Sequence, residues 1–149
     1  MEVRPARDDE IDSLAGLYYR CQIEMAYLPP MPEAHIPLVA ARIRESDEVW
    51  LAERDGQLVG FLAVEHSTTL GADVLERLYV EPAEQGRGIG TALLDKAKEL
   101  RPGGLHLWVF QKNEGARRFY EHHGFELVRL TDGARNMERE PDALYAWRP

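Results

Sequence analysis

The chain has 149 residues, 44% of them hydrophobic, with a formal net charge of −8 and a single cysteine. This length suits one globular domain spanning 1–149, and no apolar run approaches the ~18–20 residues of a membrane span, so a soluble, cytoplasmic protein is expected. The acidic balance argues against a nucleic-acid partner, which calls for a basic footprint, and lone Cys21 excludes an internal disulfide and a Cys-rich zinc site.

Residues 2–6 read as a short strand, and Asp8, Asp9 and Glu10 place negative charge where a helix start favours it. Ile11, Leu14, Leu17 and Tyr18 then recur at helical spacing. Pro29, Pro30 and Pro32 force a loop before a second amphipathic stretch over 34–44. Residues 49–54 and 58–64 read as strands joined across Asp55-Gly56, a dipeptide suited to a tight hairpin. A strand over 75–80 leads through a glycine-rich turn into a helix marked by Ala92, Leu93, Ala97 and Leu100, which Arg101-Pro102-Gly103-Gly104 stops. A strand over 105–110, a helix over 114–123 closed by Gly124, and strands over 125–130 and 143–147 complete the chain. The mixture predicts an α+β (mixed α/β) fold without repeats or linkers.

The segment Gln85-Gly86-Arg87-Gly88-Ile89-Gly90-Thr91 lies where strand turns into helix. Glycines there permit positive φ and close approach of a ligand, while the first amides of the helix and its dipole favour an anion such as a pyrophosphate. Three glycines also suit a sharp reversal that only packs helix on strand. A P-loop is excluded because no lysine follows Gly90, and the spacing Gly86, Gly88, Thr91 fails the dinucleotide fingerprint. What fits is Q/R-x-x-G-x-G/A, met by Gln85, Gly88 and Gly90; a second block, Asn113, Ala116, Phe119-Tyr120-Glu121 and Gly124-Phe125, fits N-x-x-A-x-x-F/L-Y-E-x-x-G-F. With both blocks in order, the chain resembles the Gcn5-related N-acetyltransferase (GNAT) superfamily.

That resemblance implies a twisted, mostly antiparallel sheet of about six to seven strands with about four helices, and acetyl-CoA as the acetyl donor. It implies that Gln85 to Thr91 hold the pyrophosphate, that the Leu78 amide meets the acetyl carbonyl, and that Val80 pairs with the pantetheine arm. Asn113 is a helix N-cap by its position, and by resemblance also touches the cofactor arm. Tyr120 corresponds to the tyrosine that protonates the leaving thiolate in many members. Attack by an amine also needs a base. Strand periodicity groups Val74, Glu76, Leu78 and Val80 on one face and Leu75, Arg77 and Tyr79 on the other, which makes Glu76 the candidate base or amine-orienting carboxylate. Its plain alternative is a sheet carboxylate paired with a neighbouring cation. Glu53 and Glu65 are weaker candidates.

His122 and His123 read as exposed helix-end residues, and no metal site is expected. The acceptor pocket is expected from Tyr18 to Met31 and from the connection 131–142, with Tyr18, Tyr19, Tyr27, Trp108 and Trp147 available to line it. Glu138, Glu140 and Asp142 could attract a cationic amine, although a solvated acidic loop is the plainer reading. The function this predicts is acetyl transfer to a primary amine of a small molecule or peptide by direct attack in a ternary complex. The alternative is a non-catalytic acyl-CoA-binding or regulatory module; a kinase is disfavoured by the missing lysine. Oligomeric state is left open, a homodimer being the commonest soluble assembly.

Overall fold

The computed structural model describes residues 1–149. Seven strands form one sheet: β1 (Glu2–Pro5), β2 (Glu48–Arg54), β3 (Gln57–Ser67), β4 (Ala72–Val80), β5 (Leu105–Phe110), β6 (Glu126–Leu130) and β7 (Asp142–Trp147), in the spatial order β1-β2-β3-β4-β5-β7-β6. Every neighbouring pair is antiparallel except β4 and β5. The four helices are α1 (Ile11–Ile23), α2 (Ile36–Arg44), α3 (Ile89–Leu100) and α4 (Glu114–His122). The expected mixed, mostly antiparallel sheet with four helices is therefore observed. No helix is long and apolar enough to cross a membrane.

Local chemistry accounts for the well-placed elements. Asp55 and Gly56 both take positive φ, 51° and 77°, as the tight β2–β3 hairpin requires. The apolar spacing of α1 buries Ile11, Leu14, Leu17 and Cys21 with Ala40 and Ile43 of α2, Leu51 and Phe61 on one sheet face. The opposite face carries the larger cluster, in which Leu62, Val64, Leu75, Leu107 and Tyr145 pack against Leu93, Leu94 and Ala97 of α3 and Tyr120 of α4. Gly60 marks where α3 crosses β3: a Cβ there would lie 2.9 Å from both Leu93 Cδ1 and the Tyr79 carbonyl oxygen.

The alternation expected along β4 is broken. Ala63 pairs with Arg77 but Val64 with Leu75, so Glu76 is the extra residue of a bulge. Leu75 consequently joins the core cluster that also receives Leu78 and Val80, whereas Tyr79 packs on the α1–α2 side. A bulge shifts the two-residue phase by one, and the pairing that creates it lies on β3, out of reach of a local pattern.

Candidate active site

β4 and β5 pair in register only at Val74 and His106, after which they separate. At the far end the Glu81 N–H donates to the Val59 carbonyl at 2.9 Å, while Gly60 faces Val80 and Leu62 faces Leu78. Alternation in an antiparallel ladder then makes Gly60/Val80 and Leu62/Leu78 non-hydrogen-bonded pairs, whose β4 peptide groups point away from β3. The N–H and C=O of Leu78 and Val80 thus face the gap that β5 has vacated. Consistently, the Val80 carbonyl accepts from Cys21 Sγ at 3.3 Å and from Gln85 Nε2 at 3.2 Å. Burial, with Glu81 second, pushes the Cys21 thiol up to about 12, so it stays protonated and donates.

The gap widens into a cleft of about 1270 Å³, lined among others by Glu76, Leu78, Trp108, Asn113, Tyr120 and Glu138. At one end of β4 sits the glycine loop. Gly86 and Gly88 both have φ of 82°, and a Cβ at either would meet nothing within 4 Å, so conformation rather than space selects glycine there. Gly88 caps α3 in the left-handed region without a side-chain cap, and the first intrahelical bond runs from the Ala92 N–H to the Gly88 carbonyl at 3.1 Å. The N–H groups of Ile89, Gly90 and Thr91 are left without an intrahelical acceptor and add to the positive end of the helix dipole. Gly90 abuts the second motif: Phe119 Cζ lies 3.4 Å from its Cβ position.

On α4, Asn113 is the N-cap, its Oδ1 accepting from the Ala116 N–H at 3.1 Å, and it lines the cleft as well. Tyr120 is buried between Phe119 and Phe125, with ring centroids 5.3 and 5.5 Å away, and burial holds its phenol above the usual pKa. Glu76 stands in the cleft wall, reached by solvent but crowded by protein. Desolvation first, then Glu65, raise its pKa, against the pull of Arg77 and Arg42.

Expected acceptor groups are only partly brought together. Trp108, Met25 and residues of the 131–142 connection line the cleft, whereas Tyr18, Tyr19, Tyr27 and Trp147 do not. Tyr18 instead meets Tyr79 edge-on at 4.9 Å, Tyr27 meets Phe110 at 6.1 Å, and Trp147 lies under Lys98. Glu53 is held by Arg4 at 3.5 Å. The acidic connection is not a solvated loop throughout. Glu140 is buried with Lys112 Nζ at 3.5 Å, and Asp142 accepts from the Thr131 hydroxyl and from Asn136 Nδ2. Gln111 Nε2 ties both strand ends by donating to the Thr131 and Asp142 carbonyls at 2.9 and 3.0 Å. Above this braced base, Glu138 is half-buried in the cleft with no ion-pair partner. His122 is exposed as expected, but His123 is half-buried, and its Nε2 lies 3.3 Å from Thr91 Oγ1. The available signal was its position four residues after Phe119, which puts both on one face of α4.

A sheet opened beside a glycine-capped helix, with strand peptides turned into the opening, presents main-chain groups along one edge and a helix N-terminus at its end. Residues 45–127 match the family model described as an acetyltransferase (GNAT) domain. The chain belongs to the GNAT family of N-acetyltransferases. It is 37% identical over 93 residues to a peptidyl-lysine N-acetyltransferase of Escherichia coli, a match covering 62% of this chain and 60% of that one. An uncharacterized N-acetyltransferase of Methanocaldococcus jannaschii is 30% identical, with 88% and 63% covered, so the matches span about six tenths of the length of these two relatives. For an uncharacterized N-acetyltransferase of Archaeoglobus fulgidus the figures are 33% identity with 80% and 89% covered. Among solved structures, the PaiA N-acetyltransferase of Thermoplasma acidophilum in complex with coenzyme A shares the fold, with a TM-score of 0.76, 20% identity and 99% and 98% coverage.

Proposed function

We propose that the chain, acting as one catalytic domain over 1–149, moves the acetyl group of acetyl-CoA to a primary amine by direct attack in a ternary complex. The observation that carries this reading is the turning of the Leu78 and Val80 peptide groups away from β3, with Leu78, Tyr120 and Glu76 in the walls of one cleft. Acetyl-CoA supplies an activated thioester when bound. Val80 offers its N–H to an extended arm as a neighbouring strand would, its C=O being held by Cys21 and Gln85. The amides around Gly86 to Thr91, with Gln85 and Arg87 beside them, provide donors for two phosphates. Leu78 aims its N–H where carbonyl oxygen gains charge. Glu76, directly or through water, takes the proton of the attacking nitrogen as the C–N bond forms. Tyr120 gives its phenolic proton to sulfur as the C–S bond breaks, and burial keeps that phenol protonated through neutral pH.

The E. coli relative's name puts lysine side chains in peptides first in an acceptor panel that also holds small amines. Thiol release and acetylated product are measured for the wild type and Tyr120→Phe. The expected result is product from at least one amine, with kcat reduced about 10²-fold or more in the variant and acetyl-CoA affinity unchanged. Tight acetyl-CoA binding without product from any amine would make the chain a non-catalytic acyl-CoA-binding module. No binding at all refutes the proposal.

A further inference from the structure

Thr91 and His123 belong to different motif blocks and meet where the start of α3 packs on the end of α4. The His123 ring is well fixed. Its backbone N–H donates to the Phe119 and Tyr120 carbonyls at 3.2 and 3.1 Å, and its carbonyl accepts from Lys98 Nζ at 2.6 Å. The imidazole centroid lies 4.6 Å from the Phe119 ring, which itself rests on Gly90. Nε2 is thereby held 3.3 Å from Thr91 Oγ1, at the third residue of α3, among the outward-pointing amides.

A threonine hydroxyl inside a helix has one hydrogen and a ready internal acceptor, the carbonyl four residues back. At Thr91 the residue four back, Arg87, precedes the cap, so the helical carbonyl on hand is that of Gly88, three back, and a hydrogen given to it would be lost to any ligand. An imidazole N–H donated to Oγ1 occupies a lone pair instead and leaves the hydroxyl hydrogen for an outside acceptor. Donors in series polarise one another, so the outer bond is strengthened when its acceptor is anionic.

We propose that His123 is a positioning residue of the donor site: its Nε2–H sets the direction of the Thr91 hydroxyl, which then donates its hydrogen to a pyrophosphate oxygen of acetyl-CoA. This rests on reading Gln85 to Thr91 as the pyrophosphate cradle. The arrangement requires the Nε2–H tautomer and joins the two sequence blocks into one cofactor device.

Calorimetry with acetyl-CoA on the wild type, His123→Ala, His123→Gln, Thr91→Val and the Ala/Val double variant tests it. Each of His123→Ala and Thr91→Val should weaken binding about five- to tenfold. The double variant should bind no worse than Thr91→Val, since both act through one bond. His123→Gln should recover most of the affinity, because its amide N–H can take the place of Nε2–H. The losses should appear as a raised KM for acetyl-CoA. Unchanged affinity in His123→Ala, or no recovery in His123→Gln together with additive losses, overturns the role of His123. A wild type that fails to bind acetyl-CoA overturns the cradle reading itself, and with it this inference.

Discussion

The two glycines that flank Ile89 should respond oppositely to alanine. Gly88 is left-handed, with φ of 82° and ψ of 5°, and its Cβ position is empty of neighbours. Gly88→Ala therefore carries a purely backbone penalty of about 1–2 kcal/mol, and a Tm loss of ~2–8 °C for a chain of this size. If the residue relaxes instead, the amides of Ile89 to Thr91 turn away from their common target, and acetyl-CoA affinity falls. Gly90 is helical, and an added methyl lies 3.4 Å from Phe119 Cζ and 3.8 Å from Val80 Cγ2, a contact that a small ring shift accommodates. Gly90→Ala removes backbone freedom from the unfolded chain and should be neutral or stabilising by up to ~1 kcal/mol. Gly88→Asn, tolerated in the left-handed region, should fall between the two. Thermal melts with and without acetyl-CoA, beside calorimetric affinity, give the comparison. A Gly90→Ala loss as large as that of Gly88→Ala would refute the assignment of strain to Gly88.

Glu76 ties rate to stability through its raised pKa. The folded chain holds that proton more tightly than the unfolded chain, so ionising Glu76 opposes folding: the penalty is absent below the usual carboxylate range and complete once pH has risen through the folded value. Glu76→Gln should accordingly raise Tm at about pH 7 and leave it unchanged at about pH 3. The same variant should lose the acidic limb of the wild-type rate profile; a limb that persists would remove Glu76 as the base. Glu138→Gln should raise KM for a cationic amine about three- to tenfold and leave acetyl-CoA affinity alone, since its carboxylate has no protein partner to satisfy. Equal KM values for variant and wild type would take Glu138 out of the acceptor site.

What the sequence disclosed was what adjacent residues decide. Asp55-Gly56, the glycines of the cradle, the Asn113 cap and the stop at Gly124 are local chemistry, and each lies within a residue or two of its expected place. Of the two motif blocks, the second lines the cleft with Asn113, Ala116 and Tyr120. What escaped depends on partners distant along the chain. The bulge at Glu76 arises from pairing with Ala63 and Val64, and the burial of Glu140 from Lys112 and the bracing of Gln111. Aromatic side chains were poor guides, because Tyr18 and Tyr27 find ring partners in Tyr79 and Phe110 rather than the cleft. His123 looked like a surface residue because the contact that defines it, with Thr91, spans 32 positions.

The single rung at Val74 and His106 has a mechanical meaning. Strands β1 to β4 and strands β5 to β7 share one ladder rung at one corner, and beyond it are joined through side chains of the common core. A ligand laid along Leu78 and Val80 acts as a wedge and a splint at once. Amide hydrogen exchange along β5 and the free edge of β4 should slow when the donor is seated.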